Sequence, residues 1–287
     1  MNRNWLIAGA AIGGVLMFVL APKARAATTP STPSRLPTPI PSPSNSRETT
    51  FTESVPMGTG FAAVIAPLSD TAREQAILRA ARADEVPAFL SQLVPVQLSA
   101  PGHTATIYVA PDYFGIGTDA DWLRTPMYPQ TAQAVADARN SVLPTRKIVN
   151  AIFAAAQKIG FIGETDSRAA TATYVKHHQA IERARQGRTG LLAGHKKDIV
   201  ITPALTNHPH HVAIYGAWYS NAAHPIQDLN ASSHSDQYVD YSHGVRLISR
   251  NMLVDGQPAD LLAVLADPRL SVLVSDEGPV HPAKYPV

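Results

Sequence analysis

Residues 27–50 cannot contribute to a packed core, and this divides the chain before any other feature does. Pro30-Ser31-Thr32-Pro33 and Pro37-Thr38-Pro39-Ile40-Pro41-Ser42-Pro43 carry little apolar surface to bury. Their prolines favour an extended polyproline backbone, so the segment is expected to be a semi-rigid, disordered tether. Ahead of it, residues 1–26 read as a secretory signal peptide. Arg3 supplies the positive start, Trp5 to Leu20 is apolar, and Ala24-Arg25-Ala26 gives the small-residue cleavage pattern. A retained membrane anchor is the alternative, because the apolar run approaches the roughly 17–25 residues that a spanning helix needs. Gly9, Gly13 and Gly14 favour cleavage. No later segment is apolar for long enough to span, so the mature chain is expected to be secreted or periplasmic, without stable membrane insertion.

Folding is thereby confined to residues 51–287, read as a single α+β domain. Thr71-Ala72-Arg73-Glu74 fits a capping box that opens a helix running to about Arg82. Pro87 suits the first turn of a second short helix, and Pro101-Gly102 sits between two apolar runs as a hairpin turn. Helices are expected over 132–138, 145–158 and, with a polar composition, 173–185. The pattern then changes to β-branched and aromatic runs, with strands expected at 198–202, 212–215, 238–242 and 245–248, and one last helix over 258–265. Helices weighted to the first half and mostly antiparallel strands to the second argue against a regularly alternating fold.

The charge balance excludes one class of partner. The chain holds 24 Lys and Arg against 22 Asp and Glu, but five of the basic residues and one acidic residue lie before position 51. The folding unit is therefore slightly acidic, whereas nucleic-acid binding needs a basic stripe that displaces counterions. With no cysteine anywhere, a thiol nucleophile, a disulfide framework and a thiolate metal site are excluded as well.

Ten of the 11 histidines lie between His177 and His281, which points to the strand-rich half for any acid–base chemistry. His177-His178, in a polar helix, and His208, His210 and His211, in a Pro-broken turn, are expected to face solvent. Two other segments concentrate reactive side chains. Gly194-His195-Lys196-Lys197-Asp198 precedes an apolar strand, and Tyr238-Val239-Asp240-Tyr241-Ser242-His243-Gly244-Val245-Arg246 places Asp, Ser, His and Arg within seven positions. Read as an extended strand, the second puts Asp240, Ser242, Gly244 and Arg246 on one face and Tyr241 and His243 on the other. A structural ion pair between Asp240 and Arg246 is the packing alternative.

Together with Asp112-Tyr113, Leu143-Pro144-Thr145 and Val212-Ala213-Ile214-Tyr215-Gly216, these two segments resemble a group of secreted bacterial hypothetical proteins. The resemblance covers most of the chain after residue 60. It implies no activity and supports treating that stretch as one unit.

These residues lead to an exported hydrolase acting on a cell-envelope or extracellular polymer, peptidoglycan or polysaccharide. His195 or His243 is the general base, Asp198 or Asp240 orients it, and Ser242 is a candidate nucleophile. Lys196, Tyr241 and Arg246 are assigned to substrate binding and anion stabilisation. No cofactor is required, although zinc held by His195, Asp198 and His243 is a variant, as is a glycosidase pairing of carboxylates among Asp198, Asp240, Asp276 and Glu277. The alternative from another class is a non-catalytic glycan- or peptide-binding protein using Trp122, Trp218, Tyr215, Tyr219, Tyr238 and Tyr241 as a groove.

Overall fold

A computed structural model describes residues 58–286, so the signal and tether expectations lie outside the described residues. Six α-helices occur there: α1 (Gly58–Ile65), α2 (Asp70–Arg82), α3 (Pro129–Ala138), α4 (Arg146–Ala155), α5 (Thr171–Arg185) and α6 (Leu261–Ala266). Strands β1 (Val94–Ala100), β2 (His103–Val109), β3 (Gly115–Gly117), β4 (Trp122–Arg124) and β5 (Ser141–Val142) lie in the first half. β6 (Gln157–Lys158), β7 (Leu192–Ala193), β8 (Lys197–Ile199), β9 (Ile214–Gly216) and β10 (Gln227–Asn230) follow. The chain then forms β11 (His243–Gly244), β12 (Ile248–Ser249), β13 (Asn251–Val254) and β14 (Gln257–Asp260). The fold is α+β.

The β1–β2 hairpin is built as its sequence dictates. Val96 and Leu98 point inward at alternate positions of β1, and Gly102 supplies the turn at φ 81°, a conformation costly for side chains with a Cβ. The hairpin extends into a six-stranded sheet of order β14-β13-β2-β12-β5, with β1 also pairing β2. Against it packs the main core, where Ile77 of α2, Val135 of α3, Ile148 of α4 and Leu265 of α6 are fully buried beside Ile107 and Val109.

A second sheet has the order β10-β9-β8-β11 and matters most for function, because β8 and β11 run parallel. This pairing aligns His243 with Lys197 and Gly244 with Asp198. It thereby lays the two reactive segments side by side, although they are separated by about forty residues of sequence.

Several local expectations are overturned. Ser69, extended at φ −63° and ψ 160°, caps α2 by accepting from the Ala72 N–H, so Thr71 lies inside the helix. Glu74, freed from the capping box, accepts instead from the Tyr128 N–H at the start of α3 (2.9 Å). The stretch from Pro258 to Asp260 is strand, and the helix begins only after Asp260 caps it through the Leu262 and Ala263 N–H groups. His177 and His178 are buried, with exposures of 0% and 9%. They share with Tyr174 and Ile181 the buried side of α5, His178 against Trp122 of β4 and His177 against Phe161 and Tyr241. That spacing of three and four residues is helical, so the buried face was present in the sequence, disguised by its polarity.

Candidate functional site

Residues 240–243 form a tight turn, where an extended strand was expected. The His243 N–H donates to the Asp240 carbonyl at 3.1 Å. Asp240 Oδ1 accepts from the Ser242 N–H at 2.7 Å and from the Ser242 hydroxyl at 2.5 Å. A short carboxylate that captures the backbone N–H two residues on outcompetes strand pairing, which is why the segment folds back. The alternation of faces is lost, and Asp240, Ser242 and His243 gather around one carboxylate.

The second carboxylate oxygen of Asp240 accepts from the Tyr238 hydroxyl at 3.0 Å, and Arg168, 63% exposed, reaches within 3.7 Å. Burial opposes ionisation of Asp240, but His243 and the hydrogen bonds from Ser242 and Tyr238 prevail and hold its carboxyl below the usual range. His243 is buried, its ring edge-on to Tyr238 at 5.7 Å, and neither ring nitrogen has a hydrogen-bond partner among the described residues. Burial lowers its pKa to about 4 against the pull of Asp240, so the imidazole is neutral at pH 7.

Across the strand pair, Lys196 is 1% exposed and donates to the Tyr241 carbonyl at 2.6 Å. Burial, reinforced by the nearby Arg124 cation, brings its ammonium down to about 7, with Asp240 and Asp112 pulling the other way. Lys196 therefore titrates near neutrality.

His195 is oriented by Asp112, whose Oδ1 lies 3.1 Å from its Nε2; neither Asp198 nor Asp240 performs that role. Asp112 is in turn gripped by Arg124 through two hydrogen bonds of 3.0 and 2.6 Å. Arg124 also donates to Glu182 (2.7 Å), lies 4.3 Å over the Trp122 ring, and gives its backbone N–H to His178 (3.2 Å). Asp198 accepts from the Tyr113 hydroxyl at 2.8 Å, and burial raises its pKa to about 7. Arg246 donates to the Ala110 and Leu192 carbonyls (2.9 and 2.7 Å) and stacks 4.1 Å from the Tyr113 ring. The ion pair between Asp240 and Arg246 is thus replaced by two separate arrangements, and Arg246 serves as an internal clamp.

These commitments send the eight sequence-derived site residues to different tasks. Asp240, Ser242, His243 and Lys196 meet at the strand pair. His195, Asp198 and Arg246 belong to the buried supports behind it, and Tyr241 packs edge-on to His177 at 4.9 Å. The zinc variant loses its geometry, since His195 is held by Asp112 and Asp198 by Tyr113; no group of three or more candidate ligands converges among the described residues. Of the four carboxylates considered for a glycosidase pair, Asp276 is paired to Arg146 (3.0 Å) and Glu277 accepts from Thr202 (2.9 Å).

No protein-family model matches this sequence, and no curated protein or solved structure is significantly similar to it. Geometry therefore carries the functional argument.

Asp112, Arg124 and His177 are the cluster members that the sequence did not mark for the site. Asp112 stood in a segment already singled out, and Tyr238, which donates to Asp240, opened the second reactive segment. Arg124 and His177 come from β4 and α5, and no motif links them. The aromatic groove is not assembled, because Trp122, Trp218, Tyr215 and Tyr241 are buried and Tyr219 alone is largely exposed.

Gly244 is required for this convergence. A Cβ there would lie 2.5 Å from Tyr113 Cδ1 and 2.9 Å from Lys196 Cβ. Gly244→Ala is expected to lower unfolding free energy by about 1–3 kcal/mol through overpacking. Urea denaturation checks this, and unchanged stability would show that the Tyr113 ring yields freely.

Proposed function

We propose that this chain is an exported hydrolase acting on a cell-envelope or extracellular polymer, with His243 as its general base. The observation that carries this reading is His243 itself, a buried, neutral imidazole with both nitrogens free, placed beside an ionised Asp240. Leaving such groups unpaired costs about 1–3 kcal/mol each, and packing alone gives no reason to retain them.

In the proposed reaction His243 takes a proton from water as the oxygen attacks the scissile centre. Asp240 stabilises the imidazolium that results, and the Lys196 ammonium faces the developing negative charge. The imidazolium then returns its proton to the leaving group. Ser242, whose hydroxyl is committed to Asp240, holds the carboxylate in place in this scheme. Exposed Arg168 and half-buried Tyr238 both reach the second oxygen of Asp240.

Purified protein incubated with isolated cell wall is expected to release soluble fragments. His243→Ala is expected to lower that release by about 100-fold or more, the ordinary contribution of a general base, while its circular dichroism stays that of the parent. Release by the variant at the parental rate would overturn the assignment.

A further inference from the structure

A hollow lies between the start of α2, the start of α3 and Gln237, three residues before the Asp240–His243 turn. It measures about 650 Å³, within the range of small-ligand sites. Its lining includes the amides of Gln75, Gln130 and Gln237, the phenol of Tyr128, the carboxyls of Asp70 and Glu74, and three aliphatic hydroxyls. Among the described lining residues there is no Lys, Arg or His.

The chain itself connects the hollow to the proposed catalytic turn. Gln237 adjoins Tyr238, which donates to Asp240, and Gln130, also on the lining, donates to Asp236 at 2.7 Å, fixing the same loop. Arg73, next to the lining residue Glu74, lies 5.9 Å from the ring of Tyr174. The charges of Arg73, Glu74 and Asp240 all act on the Tyr174 hydroxyl, which is buried without a hydrogen-bond partner.

One lining group is itself incomplete. The Glu74 side chain is 9% exposed, and its Oε1 has no hydrogen-bond partner among the described residues, with Arg73 Nε 3.7 Å away. Burial pushes its carboxyl up, partly offset by Thr131, the Tyr128 N–H and Arg73.

We infer that this hollow is a subsite for a neutral oligosaccharide segment of the substrate. Amides, hydroxyls and carboxyls supply the mixed donors and acceptors that a polyol ring demands, and Tyr128 offers one aromatic ring for its C–H face. An anionic ligand would find no cation on the lining. A cationic ligand would find Asp70 already paired with Arg73 at 3.1 Å. The inference rests on the hydrolase reading only in joining the hollow and the His243 turn into one site.

The test uses the full chain carrying His243→Ala, titrated by calorimetry with chitotetraose, cellotetraose and, as a cationic control, trilysine. One of the two oligosaccharides is expected to bind with Kd of about 1 mM or tighter. Gln75 and Gln237 are exposed, so their substitution leaves folding intact. Gln75→Ala and Gln237→Ala are each expected to weaken binding about 5- to 10-fold, the range of one lost hydrogen bond. Binding of trilysine alone, no saccharide binding at about 10 mM, or equal binding by both glutamine variants would overturn the subsite. Wall-fragment release without saccharide binding would remove the substrate class and leave the hydrolase. Glutamine-sensitive binding without release would do the reverse.

Discussion

Acidification from pH 7 to pH 5 is expected to remove about 5 kcal/mol of folding free energy, enough to unfold a domain of ordinary stability. Four buried histidines dominate the effect. Burial lowers His177 to about 2, His178 to about 3, and His195 and His243 to about 4, all from an ordinary value of 6.5. Between pH 6.5 and those values the unfolded chain binds protons that the folded chain refuses, so stability falls as pH falls. Each histidine contributes about 2 kcal/mol of loss over this interval. Asp198 acts in the opposite sense, because its folded pKa of about 7 lets the native state take up a proton first; it returns about 2 kcal/mol. Lys196 adds little, since the unfolded chain already holds that proton at pH 7 and the folded state, at about 7, lacks only part of it over this range. Urea denaturation at pH 7, 6 and 5 reads the slope directly. A flat profile would mean that the histidines are accessible to water in the folded state.

Arg124→Met is expected to destabilise the protein by about 3–5 kcal/mol, because it leaves Asp112 as an uncompensated buried charge. Arg124 and Asp112 side chains are each 1% exposed, so water cannot replace the lost partner. Glu182, at 34%, can rehydrate and adds little to the loss. The pair is also pH-dependent. Although burial opposes it, Arg124 and His195 hold the Asp112 carboxyl well below its usual range, so this stabilisation is present above about pH 4 and is lost as pH falls through the folded pKa. Removing both partners together, as Arg124→Met with Asp112→Leu, is expected to recover most of the loss, since a buried pair is worth little more than apolar packing of equal volume. A double variant no more stable than Arg124→Met would show that Asp112 has a further indispensable role, and its hydrogen bond to His195 is the evident one.

The sequence reading located the two reactive segments through composition and local order. Histidines gathered in the second half, and His, Lys, Asp and Ser stood within short distances of one another at strand boundaries. The same reading misjudged Asp240 to His243, because side-chain alternation presumes an extended backbone and the Asp240 carboxylate closes a turn instead. It misjudged α5 for a related reason. His178 looks like a surface residue until Trp122 and Arg124 of β4 cover it, and His177 until Phe161 and Tyr241 do, and burial then keeps both neutral.

The sequence by itself determined the α+β class, through helical spacing before residue 160 and β-branched runs after it, both properties of neighbouring residues. It also limited the candidate chemistry, since no cysteine is present and His, Lys, Asp, Ser and Arg groups are gathered in two short segments. Tertiary structure alone decided which of those groups meet. The parallel pairing of β8 with β11 sets Lys196 beside Asp240 and His243, Asp112 takes His195, and Tyr113 takes Asp198. These are contacts between segments up to 85 residues apart, fixed by sheet register and by the need of each buried charge for a partner, and local pattern carries no record of either.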